Sequence, residues 1–101
     1  MELTAAERIL VHLHGFWNVE EPGREATQVG IGEGARLLRS HVPRTLRALQ
    51  EEGLAETREA RIRGKSRKIH VYVLTEAGVR RARQILGEID RKSVEVDGRS
   101  T

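Results

Sequence analysis

Apolar residues recur along this chain at two different spacings, and the change of spacing divides it. Ile9, Leu10 and Leu13 fall on one face of a helix. Ahead of them, T-A-A-E offers Thr4 as an N-cap and Glu7 as the residue that reaches back to it. The first helix is therefore predicted to start at Thr4 and end near Gly15. Glu20-Glu21-Pro22-Gly23-Arg24 then reads as a turn or loop. Thr27 is a second capping candidate, ahead of Q-V-G-I-G-E-G-A. Each glycine in that segment costs a helix about 0.5–1 kcal/mol relative to alanine. A helix there has to depend on packing against its neighbours.

Val42, Leu46 and Leu49 return to helical spacing, but Pro43 sits among them. In a helix interior proline removes one hydrogen bond and clashes with the preceding turn, at about 3 kcal/mol. The conflict disappears if Ser40 is the N-cap. Pro43 then lies in the first turn, where backbone N–H groups have no intrahelical partner. The spacing thus predicts a helix over about 40–52, stopped by Gly53.

From Leu54 onward the period becomes two. Ile69, Val71 and Val73 share one face of I-H-V-Y-V-L, a strand over 69–74. Residues 54–63 form a weaker strand with Ala60 and Ile62 as its apolar positions, and Gly64-Lys65-Ser66-Arg67 is the hairpin tip between them. The neighbourhood of Ala26 and Thr27 is a candidate for one further short strand. A last helix is predicted from Thr75, with Val79, Ala82, Leu86 and Ile89 as its apolar stripe. Residues 93–101, S-V-E-V-D-G-R-S-T, are polar and without helical period, so they are read as a tail or linker beyond a domain of residues 1–92. The expected class is α+β.

Composition narrows the choice of chemistry. A chain of 101 residues suits one domain, and 38% apolar with 33% charged residues describes a folded globular chain. The absence of cysteine excludes disulfides, thiol catalysis and cysteine-ligated zinc. No apolar run is long enough to span a membrane, and the acidic start lacks the features of a signal peptide, so a cytoplasmic location is expected. The net charge of +3 is unevenly distributed. Residues 36–47 hold four basic side chains and no acidic one. Residues 58–70 hold six, against Glu59 alone. Together the two stretches carry +9, which leaves the rest of the chain net negative. Such clustering points to an anionic partner, nucleic acid first. The preference for arginine over lysine, fifteen to three, adds nothing to that inference; the clustering does.

Two adjacent helices followed by a basic hairpin carry a family pattern. T27-Q28-V-G-I-G-E, R39-S-H-V-P-R-T-L-R-A-L-Q-E-E-G53-L54 and L74-T75-E76-A77-G78 together give SxVxRxLxxLxxxGL … LTEAG. Over residues 4–90 this resembles the winged helix-turn-helix transcription regulators, MarR-like and archaeal in character. The resemblance implies a three-helix bundle with a β-hairpin wing and a C-terminal helix. It also implies a sequence-specific regulator of transcription that binds double-stranded DNA, with the helix from Ser40 in the major groove. The residue pattern agrees with that implication. Once Val42, Leu46 and Leu49 face the core, Ser40, His41, Pro43, Arg44 and Arg47 lie on or beside the outward face. Arg44 can fork onto a guanine, and Pro43 can pack on a thymine methyl. Arg36 and Arg39 suit backbone phosphates, and the resemblance adds Thr27 and Gln28 to them. The wing contributes Arg61, Arg63, Lys65, Ser66, Arg67 and Lys68, for backbone or minor-groove contact. The chain departs from the family pattern at Arg36, where glycine is common, and at Leu38, where a serine or threonine cap is common.

Other readings remain open. Basic side chains can also be a solvated helix face or the guard of a strand edge. A winged helix can serve as a protein-docking module, with Trp17 or Phe16 as anchor, or bind RNA, although three aromatic residues are few for stacking bases. His12 and His14, two apart, point to different helix faces. With His41 and His70 they are read as surface histidines, so no metal is expected, and no cofactor. No nucleophile–base arrangement, phosphate loop or carboxylate pair stands out, so no catalytic residue is assigned and no enzyme is expected. A homodimer through the last helix is expected; no effector can be named.

Overall fold

The computed structural model describes residues 2–61 and 67–100, the last eight of these as backbone. Three helices come first: α1 (Ala5–His14), α2 (Gln28–Ala35) and α3 (Val42–Glu51). Single 3-10 turns at Arg24–Ala26 and Arg39–His41 introduce α2 and α3. Strands β1 (Ala55–Arg61) and β2 (Lys68–Leu74) follow, and α4 (Glu76–Ser100) closes the order.

Capping chemistry sets most of these boundaries. The Glu7 N–H donates to Thr4 Oγ1 at 3.1 Å and the Thr4 N–H donates back to Glu7 Oε1 at 2.9 Å, the reciprocal pair expected from T-A-A-E. Thr27 caps α2 by accepting from the Gly30 N–H at 3.1 Å. Thr75 caps α4 by accepting from the Gly78 N–H at 3.1 Å, and its hydroxyl donates to the Gly53 carbonyl at 2.6 Å. That second bond ties the start of α4 to the end of α3. Gly53 has φ of +74° and lets the Leu54 N–H fold back onto the Leu49 carbonyl at 2.9 Å. Packing, in turn, explains the glycines of α2. At position 30 a Cβ would collide with the Arg24 carbonyl, so only glycine lets the preceding turn lie this close to the helix.

Every helix and strand contributes to one core. Ile9, Leu10 and Leu13 of α1 meet Ile31 and Ala35 of α2, and Val42, Leu46 and Leu49 of α3. Ala55 of β1, Tyr72 and Leu74 of β2, and Val79, Ala82 and Ile85 of α4 complete it. Burying a side chain such as leucine or isoleucine contributes about 1.5–3 kcal/mol. The strands pair antiparallel, in a register running from Ala55 opposite Leu74 to Arg61 opposite Lys68.

Several sequence expectations are corrected. Ser40 is not the N-cap of α3. It lies inside the 3-10 turn, α3 begins at Val42, and His41 precedes it with no side-chain cap. Pro43 still falls in the first turn, where it leaves no acceptor unsatisfied. Ala26 is buried in a 3-10 turn rather than a strand, because the Arg24 carbonyl already accepts from the Thr27 N–H and hydroxyl. Among the described residues the sheet has two strands. On β2 it is Tyr72 and Leu74 that join the common core; Val71 is buried on the other face. In α4 the core-facing stripe is Val79, Ala82 and Ile85, with Ile89 packed beside it, while Leu86 is half-buried outside the core. Residues 93–100 continue α4 rather than forming a non-helical tail, since no proline interrupts them and a helix beyond the core needs no apolar stripe. Ile62 and, of the hairpin tip, Gly64, Lys65 and Ser66 lie outside the described residues.

Candidate nucleic-acid interface

The core decides which way α3 faces. With Val42, Leu46 and Leu49 each 1% exposed, the opposite side of the helix is turned to solvent. Ser40, His41, Pro43, Arg44 and Arg47 are all exposed there. Arg36 and Arg39 are exposed in the turn that leads into it. Of the wing residues, Arg61, Arg67 and Lys68 are exposed at the outer end of the hairpin, whereas Arg63, Lys65 and Ser66 lie outside the described residues.

Arg36 occupies its place at a conformational cost. It caps α2 with φ of 57° and ψ of 52°, the left-handed region that disfavours residues with a Cβ. Its N–H reaches the Glu33 carbonyl at 3.3 Å and the Leu37 N–H reaches the Gly32 carbonyl at 2.9 Å. Arg8 Nη1 donates to the Arg36 carbonyl at 3.3 Å, which ties the turn to α1. The glycine commonly found at such a position is replaced here by a residue bearing positive charge.

Ion pairing separates two kinds of arginine. Arg24 makes a two-pronged pair with Glu33, at 2.8 and 2.9 Å, clamping the turn before α2 to that helix. Hydrogen bonds from Arg24, and then its charge, hold the Glu33 carboxyl below the usual carboxylate range; the same contacts raise Arg24. Arg58 lies 2.7 Å from Glu56. Among the described residues, by contrast, Arg36, Arg39, Arg44 and Arg47 form no ion pair with a carboxylate, and neither do Arg61, Arg67 and Lys68. The register also sets Arg61 directly opposite Lys68. Like charges facing each other across a ladder destabilise the pair. Stability alone would not place them there.

The two residues at the start of α2 have internal roles. The Thr27 hydroxyl is engaged in capping and in its bond to the Arg24 carbonyl at 2.7 Å. Gln28 Nε2 donates to Tyr72 Oη at 3.0 Å and so braces α2 against β2. The backbone N–H groups of Gln28 and Val29, at the first turn, are the ones a helix leaves for an anion. Sequence reasoning did not find the Gln28–Tyr72 brace, because nothing local signals a bond between residues 44 positions apart. Nor did it find the opposition of Arg61 and Lys68, which needs the register.

At the far end of α1, the Arg83 guanidinium lies 5.3 Å from the centre of the Trp17 ring, and His14 stacks near it at 6.4 Å. His12 Nε2 is 2.8 Å from the Glu25 carbonyl. No group of three or more metal-ligating side chains is found among the described residues.

No protein-family model matches the sequence, and no curated protein matches it. Solved structures do. ZitR of Lactococcus lactis, in the apo form of a mutant, superimposes with a TM-score of 0.72 at 21% identity, over 95% of this chain and 64% of that one. Wild-type ZitR in complex with DNA gives 0.64 at 21% identity, over 100% of this chain and 64% of that one. MepR, a transcription regulator of the multidrug efflux pump MepA of Staphylococcus aureus, gives 0.72 at 16% identity, over 95% and 64%. A proposed DNA-binding protein of Ralstonia eutropha gives 0.59 at 25% identity, over 84% of this chain and 98% of that one. The chain thus has the MarR-like winged helix-turn-helix fold, and it spans 64% of the length of ZitR and MepR.

Proposed function

We propose that this chain is a sequence-specific regulator of transcription that binds double-stranded DNA through α3 and the hairpin. The observation that carries the reading is the concentration of exposed cations, unmatched by carboxylates, on the outer side of α3 and at the outer end of β1 and β2. Ser40, His41, Pro43, Arg44 and Arg47 read base edges in the major groove, with Arg44 forking onto a guanine. Arg36 and Arg39, together with the first N–H groups of α2 at Gln28 and Val29, hold backbone phosphates. The wing, Arg61, Arg63, Lys65, Ser66, Arg67 and Lys68, follows the backbone or the minor groove and supplies affinity that falls with salt. The DNA complex of ZitR, which shares this fold, supports the same use of the scaffold.

A homodimer through α4 accompanies this reading. Leu86 is half-buried outside the core, and α4, with 25 residues, is about 37 Å long at 1.5 Å per residue. Two copies would read half-sites one helical turn apart. Light scattering that finds only an 11.4 kDa particle at micromolar concentration removes the dimer without touching the DNA reading. No helix among the described residues is long and apolar enough to cross a membrane, in keeping with action on cytoplasmic DNA.

The test is selection of bound duplexes from a random pool, followed by titration of R44A and K68A. R44A is expected to lose about 1–3 kcal/mol at one base position, and K68A to weaken all sequences alike and flatten the salt dependence. Binding with no preference among sequences at moderate salt overturns the proposal. The docking alternative draws on the exposed Trp17 and Val19. Recovery of a stoichiometric protein partner with no retention of DNA would favour it, and an RNA competitor that displaces duplex DNA would favour RNA.

A further inference from the structure

We propose that Leu38 is a specificity-determining residue that reads the 5-methyl group of a thymine beside the bases contacted from α3. The inference rests on the DNA reading above and deepens it. Leu38 is 68% exposed, the most exposed of the large apolar side chains described. Its neighbour Leu37 packs against the core, so the two leucines divide the work: one anchors the turn, and the other is left in solvent. Leu38 has no capping role either, because it precedes the 3-10 turn without a side-chain hydrogen bond. Stability therefore gives no account of an apolar side chain here.

Its position does. The Leu38 carbonyl accepts from the His41 N–H at 2.9 Å, closing the 3-10 turn. That bond fixes Leu38 at the entry to the turn, immediately before the exposed residues that lead onto the outward face of α3. The surrounding exposed side chains, Arg36, Arg39, Ser40, His41 and Arg44, are polar or cationic. A duplex drawn in by those cations would cover Leu38. In the major groove the one apolar group on a base edge is the thymine methyl. A polar side chain at this position would add a phosphate contact; leucine replaces it with a contact that depends on one base.

The experiment uses the full chain and a duplex that the wild type selects from a random pool. Each thymine of the bound site is replaced singly by deoxyuridine, which removes only the methyl, and wild type, L38A and L38S are titrated on every duplex. Wild type is expected to lose about fourfold at one thymine of each half-site, the effect of one methyl no longer buried. L38A and L38S should show no difference there, while still discriminating at the base read by Arg44. Circular dichroism should show both variants folded with unchanged melting, since Leu38 stands outside the core. Uracil effects that are absent in wild type, or that persist undiminished in both variants, overturn the assignment to Leu38 and leave the regulator intact. If the wild type selects no sequence at all, the regulator reading falls, and this inference with it.

Discussion

Replacing Arg36 separates a backbone effect from a charge effect at one position. In the left-handed region a residue with a Cβ is strained by about 1–2 kcal/mol. Glycine escapes that strain but loses about 0.5–1 kcal/mol more in chain entropy on folding. R36G should therefore be more stable than R36A by about 0.5–1 kcal/mol, or about 2–8 °C in melting temperature for a domain of this size. The bonds at the turn survive both changes, because Arg36 contributes only its N–H and carbonyl to them. Both variants lack the guanidinium, however. Each should weaken duplex binding equally across sequences and lower the salt slope by about one contact. Urea titration and fluorescence anisotropy on the same preparations give the two readouts. If R36G is no more stable than R36A, the turn does not hold Arg36 in the left-handed region. If both bind duplex as tightly as wild type, Arg36 touches no phosphate.

Further expectations follow from single contacts. Removing the Thr75 hydroxyl in T75A takes away both the cap on Gly78 and the bond to Gly53, at about 1–2 kcal/mol; a loss below a few tenths in urea titration would deny that link between α3 and α4. I85A should cost about 2–5 kcal/mol, because Ile85 is fully buried, whereas L86A should cost far less in the monomer; equal losses would contradict the assigned face of α4. The Arg24–Glu33 pair gives a pH signature. Glu33 is held below its ordinary pKa, so the pair's stabilisation is complete above that ordinary value and is lost as pH falls through the lowered one. Both side chains are 61% exposed, so the effect is small and screened by salt. The melting difference between wild type and E33Q should shrink on acidification, and a difference that grows below the ordinary carboxylate range would refute the pairing.

Much of the fold was legible because capping is local. Thr4 with Glu7, and Thr27 and Thr75 with the amides three residues on, are visible in any short window of the chain. Where the reading failed, the deciding partner was remote. Leu86 satisfied the helical stripe as well as Ile85 does, and only the direction from which α1 packs on α4 separates them. Ser40 has the chemistry of a cap, yet the 3-10 turn at Arg39–His41 satisfies the backbone by another route. The interface divides the same way: residue types and spacing marked Arg36, Arg44 and Arg47, but not the left-handed backbone of Arg36 or the exposure of Leu38.

By itself, then, the sequence determined the kinds of elements, their order, the caps that begin α1, α2 and α4, and the concentration of positive charge in two segments. All of these depend on side chains within a turn or two of one another. Only the tertiary structure decided which arginines lack a carboxylate, which of two adjacent leucines is buried, and that Arg61 faces Lys68. Those outcomes depend on which distant segments come to share a surface, and they are set by the packing of the whole core rather than by any local run of residues.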